Sequence, residues 1–434
     1  MESARVGGKP RIVSQRYLGS AEEIAARLSE RGPGEPDRTR HLAFGDVAAV
    51  WSILERLKVA EIVDEVVGSR RQDAVASVGT YIALASLNRV VDPCSKRKFA
   101  DWWKTTASDR WVRLPAAALD HRRFWDAMDT ISEAQLQQIE RRIVAAMVAE
   151  FGLNLSALVL DMTNFATYID SGNTRAPIAQ RGHAKQKRTD LRIVGLGLIV
   201  SVDGGIPLVS HAYAGNKPDV TQFGDMVTEL VTRFGALAGD AAGDLTLVFD
   251  AGQNSADNLE LIGDTALHFV GSLPPSDHPD LLAVPKNRYR AVDAKRYPGL
   301  RAFETKKVVF GVERRLVVTH SQNLGDKQSQ GFDQTLAKAR RQLGELSARL
   351  ARGNTRRPRD QVEAEIAAIL KPRWLARVIT TTLTGDTPAE LRLSFGTQPQ
   401  GRSALEAELF GKRILFTDKT ADVAPVAVIV ADYR

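Results

Sequence analysis

The sequence predicts an α/β protein whose mixed sheet is preceded by a helical domain and interrupted late by an α+β insertion. Three observations lead there. Apolar positions recur at helical spacing between Asp46 and Phe151, and short apolar runs of strand character then follow from Ala157 to Tyr213. Two of those runs flank the turn signal Asp203-Gly204-Gly205, as a hairpin requires. A helical stretch then leads into a further apolar run, Leu245 to Phe249, which is the pattern of a crossover to a parallel strand.

Composition sets the frame for these elements. The chain has 434 residues, 44% hydrophobic and 26% charged, enough for two or three domains with a sizeable core and inconsistent with wholesale disorder. A net charge of +7 and a pI near 9.4 are compatible with a polyanionic partner without requiring one. The single cysteine, Cys94, excludes an internal disulfide framework and a Cys-based zinc site and fits a reducing cytoplasm. Met1 to Arg11 contains no apolar leader core, and no stretch reaches the roughly 20 apolar residues of a membrane span. A cytosolic protein with no membrane partner is the expectation.

Taken in order, residues 1–41 are polar, rich in Gly, Pro and Arg, and read as an arm with one helical fragment, Ala21 to Arg31. Residues 42–150 read as a helical, DNA-binding domain: Val47, Val50, Trp51, Leu54, Leu57, Val59 and Ile62 share a face, Val78 to Leu87 forms a second apolar helix, and Arg122 to Met128 and Glu133 to Phe151 complete it. Its run Lys96-Arg97-Lys98, followed by Trp102-Trp103-Lys104, mixes cations with aromatics and suits contact with a phosphate backbone. The same run also fits a solvated helix face with two core tryptophans.

Residues 151–274 read as the first part of the α/β core. The strands are Ala157 to Asp161, Ile193 to Val202 and Ile206 to Tyr213, then a helix from Asp219 to Phe234, the Asp250 strand, and a fifth strand from His268 to Leu273. An antiparallel meander feeding a parallel strand is the layout of a ribonuclease H-like core, although strand order alone admits other α/β folds. Residues 275–410 read as the insertion. It carries a hairpin over Val308 to Val318, a short charged helix from Asp333 to Arg352 broken at Gly353-Asn354, a second helix from Asp360 to Leu370, and a strand over Leu391 to Phe395. Residues 411–434 read as a returning core strand, Arg413 to Asp418, and the opening of a final helix.

Two of the strands end in a carboxylate, Asp161 and Asp250, and such acids serve equally as metal ligands or as turn and cap residues. Lys185, Lys187 and Arg188 form a basic loop after the first strand, placed for phosphate contacts or simply solvated. Asn216 and Asp219 fit a turn and a helix cap, and His183 has no nearby His or Cys for a zinc site.

Asp161-Met162-Thr163, Gln180-Arg181-Gly182-His183-Ala184-Lys185 with Asp190, Ala214-Gly215-Asn216-Lys217-Pro218-Asp219 and Phe249-Asp250-Ala251-Gly252 occur in that order. Together with Val13 to Gly19 in the arm, they resemble the DDE transposases of bacterial insertion sequences, in the insertion-sequence-four-like group with a large insertion before the third acid. The resemblance implies a ribonuclease H-like fold, with Asp161 and Asp250 as the first two catalytic, metal-binding acids. It also implies cut-and-paste transposition with two divalent cations, Mg2+ as a rule. Hard cations take oxygen ligands, and a metal pair stabilises both the attacking and the leaving oxygen of an in-line displacement.

The partners so implied are the terminal inverted repeats, target DNA and a second copy of the chain on DNA, in a nucleoid-associated cytoplasmic setting. The family's third acid is a glutamate in a pattern of Tyr, two residues, Arg, three residues, Glu. Tyr433 matches the tyrosine, and the arginine and glutamate positions would fall beyond Arg434. The expectation is therefore a chain cut before its third acid and inactive as given, with Asp418, Asp422 and Asp432 lacking the spacing to replace it. A non-catalytic DNA-binding or dimer-forming remnant, and a ribonuclease H-like nuclease, are the alternatives.

Overall fold

The computed structural model describes residues 2–15, 17, 19–31, 41–68, 75–170, 172–237, 245–353 and 356–433. Arg16, Leu18, Asn354 and Arg434 lie outside the described residues. The chain divides into two compact units, Met1–Ser132 and Glu133–Arg434.

The first unit opens with a hairpin, β1 (Glu2–Val6) and β2 (Lys9–Ser14), in what the sequence read as a polar arm with one helical fragment. Gly7 and Gly8, at φ 60° and 81°, make the two-residue turn, and the signal was the Gly-Gly pair between two runs able to pair. Helices α1 (Ala21–Arg31), α2 (Gly45–Arg56), α3 (Val59–Val67), α4 (Val78–Val91), α5 (Phe99–Trp103) and α6 (His121–Asp129) follow. Lys58 turns α2 into α3 from the left-handed region at φ 53°, and the Asp64 carboxylate accepts from the Gly79 amide at 2.7 Å, joining α3 to α4. A Cβ on Gly79 would lie 2.0 Å from the Ala60 carbonyl oxygen, so this helix pair closes only on a glycine. Phe99, Trp102, Trp103 and Phe124 are all buried in the core.

The second unit begins with α7 (Glu133–Phe151), which the periodicity had grouped with the helices before it. Val144, Met147 and Val148 pack it into the core of the second unit. Then come β3 (Ala157–Thr167), β4 (Arg192–Ser201), β5 (Pro207–Ala214), α8 (Phe223–Leu237), β6 (Thr246–Phe249), α9 (Ala256–Gly263) and β7 (His268–Leu273). Next are α10 (Pro279–Leu282), β8 (Arg290–Ala291), β9 (Arg301–Val309), β10 (Val312–His320), α11 (Gln322–Ala351) and α12 (Arg359–Leu370). The chain continues through β11 (Ile379–Thr384), β12 (Arg392–Thr397), α13 (Pro399–Leu409), β13 (Lys412–Thr417) and α14 (Val426–Tyr433).

Nine of the strands form one mixed sheet in the order β5-β4-β3-β6-β7-β13-β10-β9-β8. Strands β3 to β5 are the predicted antiparallel meander, and β6 and β7 run parallel to β3. The expected hairpin of the insertion is β9–β10, but it is not a separate appendage: β10 pairs with β13, and β13 with β7, so the sheet is continuous. Only α11 to α13, with the two-stranded β11–β12 ribbon, leave it. Helix α11 is 30 residues long rather than the short element expected from Asp333. Its first turns carry Gly325 and Gly331 and hid from the periodicity, yet Gly325 packs against the backbone of Gly411. No helix among the described residues is long and apolar enough to cross a membrane.

The sheet has two faces. One carries Leu158, Leu160, Met162, Leu247, Phe249 and Phe269 under α8, α9 and α11. The other carries Val159, Val248, Val270 and Leu415 under Ile429 and Val430 of α14.

Candidate active site

The geometry of the two acids follows from strand register. Strands β3 and β6 pair in parallel with Leu158 opposite Leu247, Val159 opposite Val248 and Leu160 opposite Phe249. One step further sets Asp161 beside Asp250, and adjacent strands lie only about 4.8 Å apart. Side chains alternate along a strand, so Asp161 shares the face of Val159 and Asp250 that of Val248, the face covered by α14. Both acids are exposed. Asp161 is not at a strand end, as the sequence suggested, but in the middle of an 11-residue strand, and it is β6 that stops at its level.

Local hydrogen bonds hold each carboxylate. Asp250 Oδ1 accepts from the Gly252 amide at 2.8 Å, so the chain turns away at once and leaves the acid at the lip of the sheet. Asn254 Nδ2 donates to the Ser272 carbonyl at 2.9 Å and Asn258 Nδ2 to the Gln253 carbonyl at 2.8 Å, which tie this turn to β7 and α9. Asp161 Oδ1 accepts from the Met162 amide at 2.8 Å. Among the described residues no set of three His, Cys, Asp or Glu could hold a metal ion, so no third such group joins this pair. Two neighbouring carboxylates are nonetheless a fitting donor set for a hard cation that keeps water or phosphate oxygens in its remaining positions.

The other motif residues converge beside β3. Asn164 accepts from the Lys185 amide at 3.0 Å and donates to the His183 carbonyl at 3.1 Å, clamping that loop onto the strand. The Lys185 ammonium bonds the Met162 carbonyl, one residue past Asp161. Gly182 and Gly215 meet: a Cβ on Gly182 would lie 2.0 Å from the Gly215 carbonyl oxygen. Tyr213 donates to the Asp219 carboxylate at 2.6 Å, and burial, followed by the charges of Asp219 and Asp161, pushes its phenol well above the ordinary range.

Lys187 and Arg188 are exposed, and Arg188 pairs with Asp190 at 2.6 Å, which pulls the Asp190 carboxyl down to about 2. Lys185 thus reaches the strand one residue past Asp161, while Arg188 is already neutralised in part.

The first unit's basic run answers differently. Trp102 and Trp103 are 7% and 6% exposed, so they are core and offer no stacking surface. Lys96 is half-buried, with its ammonium 5.6 Å from the Phe124 ring centroid, and burial lowers its pKa. Arg97 and Lys98 remain exposed.

Of the late acids, Asp418 lies at the opposite end of the sheet, where it bonds His268 Nδ1 at 2.7 Å and accepts from the Phe269 amide at 2.9 Å. Asp422 bonds Thr420 in the same connection after β13. Asp432 is half-buried on α14 and its pKa is raised by burial. Tyr433 packs with Arg413, whose guanidinium is 5.0 Å from the ring, beside a cavity of about 310 Å³ that Lys327 and Thr319 also line.

Sequence reasoning missed a group of cations that share a cavity with Ala251, the residue after Asp250. A cavity of about 270 Å³ runs from Ala251 past Ser272 and Pro274 to Arg373, Lys412 and Arg413. The Lys412-Arg413 pair opening an apolar strand was the available signal.

No protein-family model matches the chain, and no curated protein matches it. Among solved structures it is similar to a piggyBac transposase synaptic complex with hairpin DNA, with 11% identity and a TM-score of 0.30, covering 64% of this chain and 58% of that one. It is also similar to a Mos1 transposase paired-end complex with the left transposon end, with 11% identity and a TM-score of 0.19, covering 58% of this chain and 73% of that one. Likeness at these TM-scores assigns no chemistry to the chain.

Proposed function

We propose that the second unit is a ribonuclease H-like phosphoryl-transfer module of the DDE transposase type, acting on DNA ends with Asp161 and Asp250 as its metal-binding acids. The observation that supports this reading is the parallel register of β3 and β6, which sets two exposed carboxylates side by side at the point where one strand stops. Asp161 and Asp250 would hold divalent Mg2+, which when bound supplies charge stabilisation to the attacking and leaving oxygens of a phosphodiester. The chain's own residues do the rest. Gly252 and Met162 amides orient the carboxylates, and the Lys185 ammonium, anchored through Asn164, offers a positive charge to a phosphate beside Asp161. Arg97, Lys98 and Lys187 are exposed and available to the DNA backbone. Assembly as a dimer on terminal repeats belongs to the same reading.

The test measures affinity for a labelled duplex with and without divalent metal, in the wild-type chain and in Asp161→Asn and Asp250→Asn. Metal should tighten duplex binding in the wild type and leave both variants unmoved. A wild type indifferent to metal, or variants that respond as fully as it does, would overturn the reading.

A further inference from the structure

The sheet edge that carries the two acids continues to a second feature. Along it, in strand order, stand Asp161, Asp250, the ends of β7 and β13 with Arg413, then His320 and Arg301, because β7 and β13 pair with Leu273 opposite Ile414, and β10 and β9 with His320 opposite Arg301. At the far end, residues 286–301 wrap the two-residue strand β8. Lys286, Arg288, Arg290, Lys295, Arg296 and Arg301 are all exposed there, and none has a carboxylate partner among the described residues.

The one acid in the stretch, Asp293, spends its Oδ1 on the Lys295 and Arg296 amides, at 3.2 and 3.0 Å. Several other cations of the unit are paired, Lys307 with Asp280, Arg349 and Arg357 with Glu365, Arg377 with Glu408, whereas the lobe gathers six exposed cations in one short stretch. The backbone of the lobe is anchored by buried residues between the cations, Tyr289, Val292, Tyr297 and Leu300 at 2%, 5%, 7% and 7% exposure. This alternation sets six exposed cations on an anchored backbone, with the Arg290 and Arg301 guanidiniums also donating to the Asn287 and Tyr289 carbonyls at 2.8 and 2.9 Å. Burial, with the charges of Lys286, Lys412 and Arg301 behind it, depresses the His320 pKa, which registers the local positive field.

Building on the reading of Asp161 and Asp250, we propose that the 286–301 lobe is a docking surface for the phosphate backbone of duplex DNA lying along the acid-bearing edge. Four strand spacings separate β6 from β9 in the sheet order, roughly 20 Å. At about 3.4 Å per base pair this is some six base pairs from the reacting phosphate. The lobe takes hold of flanking duplex and reads no sequence.

The experiment titrates a labelled random-sequence duplex with the full chain at increasing salt. It compares wild type with a triple variant, Lys286→Ala, Arg288→Ala and Lys295→Ala, and with the charge-conserving Lys286→Arg, Arg288→Lys, Lys295→Arg. Each phosphate contact adds about 0.9 to the logarithmic salt slope, so the alanine variant should lose about 2.7 of it. Between 50 and 200 mM salt its affinity should then fall roughly 40-fold less than that of the wild type. The charge-conserving variant should keep the wild-type slope, which separates lost charge from lost fold.

An alanine variant with wild-type affinity and slope overturns the proposal, as does a loss confined to single-stranded RNA with duplex binding intact. Lobe-dependent duplex binding that no metal or Asp substitution alters supports the lobe while overturning the metal-site reading. Absence of duplex binding in the wild type overturns both.

Discussion

Replacing Asp250 by asparagine should have opposite effects with and without divalent metal. Asparagine retains an Oδ1 that can accept from the Gly252 amide, so the turn at 2.8 Å survives and only the charge is removed. In the metal-free chain two exposed carboxylates sit at neighbouring strand positions. At about 5 Å in a water-like dielectric their repulsion is roughly 0.8 kcal/mol, and Asp250→Asn should stabilise the second unit by about that amount in chelator. With metal the order reverses. For a dissociation constant on the order of 1 mM, ~10 mM Mg2+ stabilises the folded wild type by about 1.4 kcal/mol and leaves the variant unchanged. Urea unfolding in chelator and in Mg2+, read by circular dichroism, measures both arms. A variant less stable than wild type in chelator, or one whose Mg2+ response equals that of the wild type, would refute the reasoning. The same loss of charge should slightly raise duplex affinity in chelator, which a titration would show.

Three further outcomes are expected. Arg315 is 7% exposed by side chain and bonds Glu304 at 2.7 Å and the carbonyls of Thr420 and Ala424 at 3.2 and 2.6 Å; Glu304 would stay solvated, so Arg315→Ala should cost about 1–3 kcal/mol in denaturant unfolding, from the carbonyls left without a donor. A Cβ on Gly195 would fall 2.2 Å from the Tyr213 ring, so Gly195→Ala should destabilise by about 1–3 kcal/mol and weaken the Tyr213–Asp219 bond. Burial raises the Asp432 carboxyl above its ordinary 3.8 against the pull of Lys419, so the folded chain holds its proton longer and stability falls as pH rises through that window. Asp432→Asn should therefore raise the thermal midpoint at neutral pH, with the gain vanishing below that ordinary value.

Much of the site was legible because its signals are local. A run such as Leu245 to Phe249 closed by Asp250 and Gly252 specifies a buried strand and its turn within eight residues, whereas Ala157 to Asp161 marks a strand but not its end, which comes at Thr167. That the two acids become neighbours depends on parallel pairing, which no local pattern encodes. At Lys96 to Lys104 the sequence left two readings open, and the one with core tryptophans holds: Trp102 and Trp103 turn inward and Lys104 outward. The first turns of α11 were invisible because glycines and polar residues carry no period, and their helix is stabilised by packing against Gly411. The basic lobe escaped because β8 spans two residues and its buried tyrosines alternate with arginines in no regular period.

Strand β13 pairs with β7 on one side and β10 on the other. During synthesis β10 is finished at His320, but the strand that joins it to the meander begins only at Lys412. At about 5–20 residues per second the nascent chain carries two half-sheets for roughly 5–20 s, each presenting an unpaired inner edge, before translation reaches β13. The hydrogen-bonding edges of β7 and β10 are then open to other nascent chains, so a ribosome that stalls in the α11–α13 excursion should release a product that aggregates rather than a smaller folded protein.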